Sequence, residues 1–411
     1  MTSGGDDDDP VLRTGSTTVG TPPPPAGVEG LAVGIAERNA NLLWAQRRGG
    51  DFEPWRARVE ALRPAYYRLM IDWSQLQPRR GEPPRFEQHD NGCLRDLPPC
   101  GAFAGVRDVL RAVRSQQREH GGWEVVVQIF GVPEWAARAP GGCERSTELP
   151  RSRPITRRGL EGYRALVRDL VRLAGEEDVE LKWWSPWNEP NQPYFLSPQR
   201  RRCDASAPSR APRVYSHIVR ALRAELAATP QDERLVLGEL AGASGPKPLV
   251  TGVAEFVRAL PDADACAGDV WAQHQYAERD EEAAARTGAE GADDDGFSGD
   301  ATDAVTELRR ALDERGCTRG KPIWVTETGV GGAHVGAHRS HSRRELAADC
   351  DAIAGRLTRW RDDPRVDAAF QFSIREDFSF PVGLFDTGLT RAYPVYDLWR
   401  GIAGGRVRCP G

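Results

Sequence analysis

From residue 31 onward, short apolar runs alternate with stretches whose apolar side chains recur every three or four positions. The runs are Leu31–Ile35, Ala65–Ile71, Glu124–Phe130, Glu180–Trp187, Leu235–Leu240, Asp269–His274, Lys321–Thr326 and Val366–Ser373. Short and apolar almost throughout, they read as strands covered on both faces. Helical spacing follows in Pro54–Leu62, Phe103–Glu119, Thr156–Ala174, Arg213–Ala228, Leu249–Ala259, Asp300–Glu314, Arg343–Arg361 and Tyr393–Ile402. In Phe103–Glu119, for example, Val106, Val109, Leu110 and Val113 share one face. Eight strand–helix pairs predict an α/β fold, a closed (β/α)8 TIM barrel over residues 28–411 as one domain. A doubly wound open sheet is the alternative. It usually carries a Gly-rich phosphate turn after its first strand, and Ala32–Gly34 is not one.

Residues 1–27 break the pattern. Asp6–Asp9, then Ser, Thr and Gly, then Pro22–Pro25 cannot bury a core, and predict a disordered leader or an extended linker. The stretch lacks the basic and apolar regions of a signal peptide.

A barrel of this kind carries its active site at the carboxyl ends of its strands. Two four-residue words fall there. Trp187-Asn188-Glu189-Pro190 closes the fourth run and Thr326-Glu327-Thr328-Gly329 the seventh. Each sets one glutamate at a rim, and two carboxylates facing each other across a pocket are the minimal equipment for cleaving a glycosidic bond. Pro190 cannot continue a ladder, so the chain is expected to turn away beside Glu189. Asn188 is placed to hydrogen-bond a sugar hydroxyl next to the reacting carbon. Glu189 is the expected general acid/base, protonated near neutrality through burial and the second carboxylate's charge. Glu327 is the expected nucleophile, and Arg68 and Tyr276 are the natural donors to keep it ionised.

These words resemble the large clan of retaining (β/α)8 glycoside hydrolases, whose acid/base and nucleophile glutamates follow strands four and seven. Arg68 on the second run, Gly131-Val132-Pro133-Glu134-Trp135 after the third and His274-Gln275-Tyr276 after the sixth look similar too. The likeness is greatest to the cellulase-like and β-xylosidase-like branches, which have Asn-Glu-Pro at the acid. It implies hydrolysis of β-linked glycosides with retention, by double displacement and without a cofactor. It also implies that Asn188 binds the 2-hydroxyl, that Arg68 and Tyr276 orient Glu327, and that His274 lines the site. Many members stack the sugar on a Trp after strand eight. This chain has Phe370-Gln371-Phe372-Ser373-Ile374-Arg375-Glu376-Asp377, so Phe372, Phe378 or a Trp from another loop is the expected platform, with Arg375 and Asp377 as alternative polar contacts.

The remaining features refine this picture. With 55 basic and 60 acidic residues and no basic stripe, nucleic acid is excluded as a partner, and no apolar run approaches the ~20 residues of a membrane span. The expected partner is a carbohydrate, and the expected state a monomer. Of 12 Trp, Trp73 and Trp135 divide evenly between cleft and core, whereas Trp183, Trp184, Trp271 and Trp324 read as packing. Tyr194 and Phe195 are candidate subsite walls. His334, His338 and His341 have a spacing open to metal but read as a solvated loop, as does the acidic run Glu290–Asp295, so no metal site is assigned. Glu239 and Asp72 lie near strand ends without the neighbours that mark Glu189 and Glu327. Eight cysteines without a CxxC pair favour disulfides, Cys93–Cys100 first and a bridge to Cys409 in the tail, and hence a secreted or cell-surface protein. Alternatives of function are a transglycosylase using the same glutamates and a catalytically silent carbohydrate-binding barrel.

Overall fold

The computed structural model describes residues 31–44, 50–140, 150–229, 232–242, 249–277, 303–331, 339, 341–378, 380–402 and 404–410. The leader, the acidic run, His334, His338, Cys143 and the side chain of Cys203 lie outside the described residues.

Eight parallel strands close into a barrel: β1 Ala32–Ala36, β2 Tyr66–Asp72, β3 Glu124–Phe130, β4 Trp183–Ser185, β5 Arg234–Leu240, β6 Val270–His274, β7 Ile323–Thr328 and β8 Val366–Phe372. Each pairs with its sequence neighbours, and β8 closes on β1 through Ala32 to Ala36 opposite Ala368 to Phe372. Helices α1 Glu53–Glu60, α2 Gly105–His120, α3 Arg157–Glu176, α4 Ala211–Leu226, α5 Val253–Ala259, α6 Ala304–Asp313, α7 Arg343–Asp362 and α8 Pro394–Ile402 follow the strands in order. Side-chain oxygens of Thr156, Asp303 and Ser342 accept the free N–H groups that open α3, α6 and α7. The (β/α)8 expectation is met, with element ends moved by a few residues. One such change bears on the site: β4 stops at Ser185 instead of Trp187, because Pro186 has no N–H to extend the ladder.

Alternate side chains of the strands serve two different cores. Outward residues such as Leu69, Val127, Trp184, Leu237, Trp271 and Val325 belong to the large layer packed against the helices. Inward residues at the amino-terminal half form a smaller apolar plug of Val126, Val236, Val270, Ala272, Trp324, Ala368 and Phe370. Its aromatic members are tightly assembled, with Trp324 4.6 Å from both Tyr66 and Trp183. The four strand tryptophans are therefore packing residues, as their position implies. Trp73 is fully buried as well and meets Trp135 edge-on at 5.5 Å.

Disulfides join Cys93 to Cys100, Cys266 to Cys317 and Cys350 to Cys409, the last tying the chain's tail to α7. The first closes a loop that leaves a short antiparallel ribbon, His89–Asp90 against Phe103–Ala104, beside the barrel mouth. No helix among the described residues is long and apolar enough to cross a membrane.

The plug depends on one missing methyl group. A Cβ on Gly34 would stand 2.2 Å from the Phe370 ring, which has no free side to move toward. Gly34→Ala is expected to lower stability by about 1–3 kcal/mol through overpacking, measured by denaturant unfolding. An unchanged midpoint would show that the barrel interior is looser than described.

Candidate active site

Above the plug the barrel interior turns from apolar to charged. Arg68, on β2 and fully buried, occupies the centre. Its Nη1 donates to Glu327 Oε1 at 2.6 Å, and its Nη2 to Glu239 Oε2 and Asn188 Oδ1, both at 2.8 Å. Three segments reach this one guanidinium, each by a different local device.

The Glu189 segment leaves the sheet at Pro186. Trp187 is buried and donates from its indole to the Phe195 carbonyl at 2.8 Å, which anchors the turn. Glu189 adopts a left-handed backbone (φ 35°), and its N–H donates to the Glu239 carbonyl. In β7 the register slips between the pairs Gln273–Val325 and His274–Glu327. The bulge allows consecutive residues, Thr326 and Glu327, to point inward together. A second slip separates the β5 pairs of Gly238 and Leu240, with positive φ at Gly238 (98°) and Glu239 (51°). The bulge turns Glu239 from the helix layer into the barrel mouth, and Gly238 supplies the conformation at no steric cost.

His274, at the end of β6, sits among all three carboxylates. Its Nδ1 lies 2.8 Å from Glu189 Oε1 and 3.4 Å from Glu327 Oε2, and its Nε2 lies 2.7 Å from Glu239 Oε2. Tyr276 donates to Glu327 Oε2 at 2.7 Å. Both oxygens of Glu327 thus accept bonds from donors that do not lose their protons. Burial, then the adjacent Glu327 charge, raises the Tyr276 phenol well above its ordinary value. Glu189 is raised by burial, opposed by the His274 bond and reinforced by Glu327. Glu239 is lowered: burial opposes ionisation, but Arg68 and His274 outweigh it. Burial alone would lower His274, yet Glu327, Glu189 and Glu239 raise it to about 10. Glu189 Oε2 and the Asn188 amide nitrogen have no hydrogen-bond partner among the described residues.

The structure therefore brings Arg68, Asn188, Glu189, His274, Tyr276 and Glu327 together. Trp135 stands apart. It is half-buried, donates to the Gln77 carbonyl at 2.9 Å and packs within reach of Gly162 on α3. Arg375 is not aimed at the pair either. Its guanidinium is spent on the carbonyls of Thr387 at 2.7 Å and Pro98 at 3.0 Å, with longer contacts to Pro99 and Leu97, so it fastens the Cys93–Cys100 loop to the segment after β8. Phe372 ends β8 and meets Phe380 at 5.8 Å, and Phe380 lies edge-on to Tyr276 at 5.2 Å. These two phenylalanines border a cavity of about 540 Å³ at the ends of β1, β2 and β8, also lined by Glu37, Arg38, His89, Arg375 and Asp377. Phe195 packs on Phe130 at 6.1 Å, whereas Tyr194 and Phe378 are each 45% exposed. Asp72 caps a turn through Ser74 and Gln75. Glu239, set aside in the sequence because no motif surrounds it, joins the cluster through Arg68 and His274. The available signal was Gly238, since a glycine inside a strand marks a bulge.

One atom each from Glu189, His274 and Glu327 lie within 4.8 Å of one another, a set with metal-ligand chemistry. Both nitrogens of His274 and both oxygens of Glu327 are already engaged by carboxylates, Arg68 and Tyr276, and the guanidinium fills the place of a cation. The set fits an organic substrate better than an ion. His341, the described member of the histidine trio, bonds Tyr393 at 3.0 Å.

No protein-family model and no curated protein sequence matches this chain. Solved structures do. A family 39 glycoside hydrolase from the gut symbiont Bacteroides cellulosilyticus WH2 superposes with a TM-score of 0.54 at 14% identity, over 91% of this chain and 64% of that one. A monomeric β-xylosidase from Caulobacter crescentus CB15 gives 0.52 at 17%, over 91% and 68%. A β-glucosidase from Exiguobacterium marinum gives 0.51 at 13%, over 92% and 98%. The chain thus spans under two thirds of the first protein and nearly all of the third. At these identities the shared property is the fold, a (β/α)8 barrel.

The raised His274 has a consequence for stability. A histidine shifted from 6.5 to about 10 stabilises the fold fully below 6.5 and loses that contribution as pH rises through 10. The stability gap between wild type and His274→Gln should therefore narrow from pH 6.5 to pH 10, read by denaturant unfolding. A constant gap would contradict the charge assignment.

Proposed function

We propose that this chain is a retaining glycosidase that cleaves β-linked O-glycosidic bonds of oligo- or polysaccharides, with Glu327 as nucleophile and Glu189 as acid/base. The observation that carries the reading is the unequal pair of carboxylates, with an oxygen of each within 4.8 Å. That spacing favours the ~5–5.5 Å separation of retaining enzymes over the ~6.5–9.5 Å of inverting ones.

The groups divide the work by their surroundings. Glu327, fixed by Arg68 and Tyr276, attacks as a carboxylate at the anomeric carbon while the bond to the leaving oxygen breaks. Glu189 donates the proton from Oε2, the oxygen that faces no protein partner, so the leaving group departs as an alcohol. A water then loses its proton to Glu189 while its oxygen displaces Glu327, restoring both carboxyl groups. Asn188 spends its carbonyl on Arg68 and offers its amide nitrogen to the neighbouring sugar hydroxyl. Phe380, edge-on to Tyr276, and Phe372 beside it offer apolar faces to a sugar ring next to the cluster. One chain supplies every group, so a monomer suffices, and the disulfides suit a secreted or cell-surface enzyme.

A panel of aryl β-xylosides, β-glucosides and soluble β-glycans tests the reading. Glu189→Gln should cost about 10²–10⁴-fold in kcat/KM on substrates with poor leaving groups, and azide should restore turnover on activated aryl glycosides. Glu327→Gln should be inactive on all of them. Full activity in either variant would overturn the assignment. A wild type that binds glycans without cleaving them would favour a silent binding barrel, and sugar transfer to added acceptors a transglycosylase.

A further inference from the structure

Glu239 has no step in this double displacement, yet it is the most enclosed carboxylate of the cluster, with no exposed surface. A bulge and a left-handed backbone are needed to bring it there. Its Oε2 accepts from Arg68 Nη2 at 2.8 Å, His274 Nε2 at 2.7 Å and Thr326 Oγ1 at 3.0 Å, while its Oε1 is buried without a partner. We propose that Glu239 is a positioning residue that holds His274 as an imidazolium, with Nε2–H on Glu239 and Nδ1–H on Glu189 Oε1, and so directs the acid proton of Glu189 to Oε2. The inference rests on the glycosidase reading and deepens it.

The charges support this arrangement. The groups facing His274 and Glu239 are Arg68 from β2, Glu189 from the segment after β4, Tyr276 after β6, Glu327 from β7, and Tyr215 of α4, whose hydroxyl accepts from Gly238 N–H. Before reaction Arg68 and His274 are positive, Glu239 and Glu327 negative, and Glu189 neutral. When Glu189 gives its proton to the leaving oxygen and Glu327 becomes the glycosyl ester, one negative charge moves from Glu327 to Glu189. The sum stays at zero, and the new carboxylate faces an imidazolium already hydrogen-bonded to it. A neutral His274 with a lone pair at Nδ1 would repel that carboxylate and weaken Glu189 as an acid.

Glu239→Gln tests this cleanly. The amide oxygen keeps the three donors, and the amide nitrogen enters the position that has no partner, so the change removes charge more than shape. In wild type, nitrogen NMR should show His274 doubly protonated at about pH 8, between its ordinary 6.5 and its raised value of 10. In the variant the ring should be neutral there. Its kcat/KM should fall at least about 10-fold on aryl glycosides with poor leaving groups, and little on dinitrophenyl glycosides, because only the former need the acid. A neutral His274 in wild type would overturn the inference, whether or not the variant folds. So would a variant that keeps a cationic His274 and loses activity equally on every substrate. A wild type inert on the whole panel would instead overturn the glycosidase reading, while its His274 spectrum would still decide the charge on the ring.

Discussion

Arg68 places a permanent positive charge inside a barrel where its side chain has no exposure, and Glu239, Glu327 and Asn188 are arranged in answer to it. A buried cation is tolerated only when opposite charge and hydrogen bonds surround it, and losing a partner from such a set is strongly destabilising. Glu239, Glu327 and Asn188 meet that demand from three separate strand ends. The same bonds that stabilise the guanidinium fix Glu327, the proposed nucleophile, in place and leave the Asn188 amide nitrogen open. Stability and reactivity are consequently two readings of one cluster.

The apolar plug below is the other half of this design. Tyr66, Trp183, Trp324 and Phe370 close the barrel from its amino-terminal side, so the charged layer rests on a dry aromatic floor. A low-dielectric floor strengthens each charge interaction above it and widens the difference between neighbouring carboxyl groups. Glu189 and Glu239 illustrate this. Both are buried, yet burial prevails at the first and Arg68 at the second. That separation lets one glutamate keep a proton while another stays charged a few ångströms away.

Much of this was legible in the chain. The alternation of apolar runs and amphipathic segments fixes eight strand–helix pairs, because a parallel strand buried on both faces has to be apolar throughout. Glu189 and Glu327 could be found because each sits in a four-residue word at a strand end, and their partners Arg68, His274 and Tyr276 because they share that end. Glu239 could not be found that way. Its inward aim comes from a bulge and two positive φ values, which a count of alternating positions assigns to the opposite face. Arg375 and Trp135 show what sequence leaves open: Arg375 lines the cavity beside the cluster, and Trp135 stands apart from it. Both residue types suit sugar binding, but their donors are claimed by main-chain carbonyls of loops that sequence alone cannot place.

The central claim is that Glu327 forms a covalent bond to the sugar, and the most direct measurement is to trap it. Activated 2-deoxy-2-fluoro β-xylosides and β-glucosides slow the release of a glycosyl-enzyme more than its formation, and mass spectrometry of the digested protein locates the label. The account predicts one 2-fluoroglycosyl group on Glu327, with release restored by an acceptor sugar. A label on another residue, or turnover that yields the inverted sugar with no adduct, would contradict it.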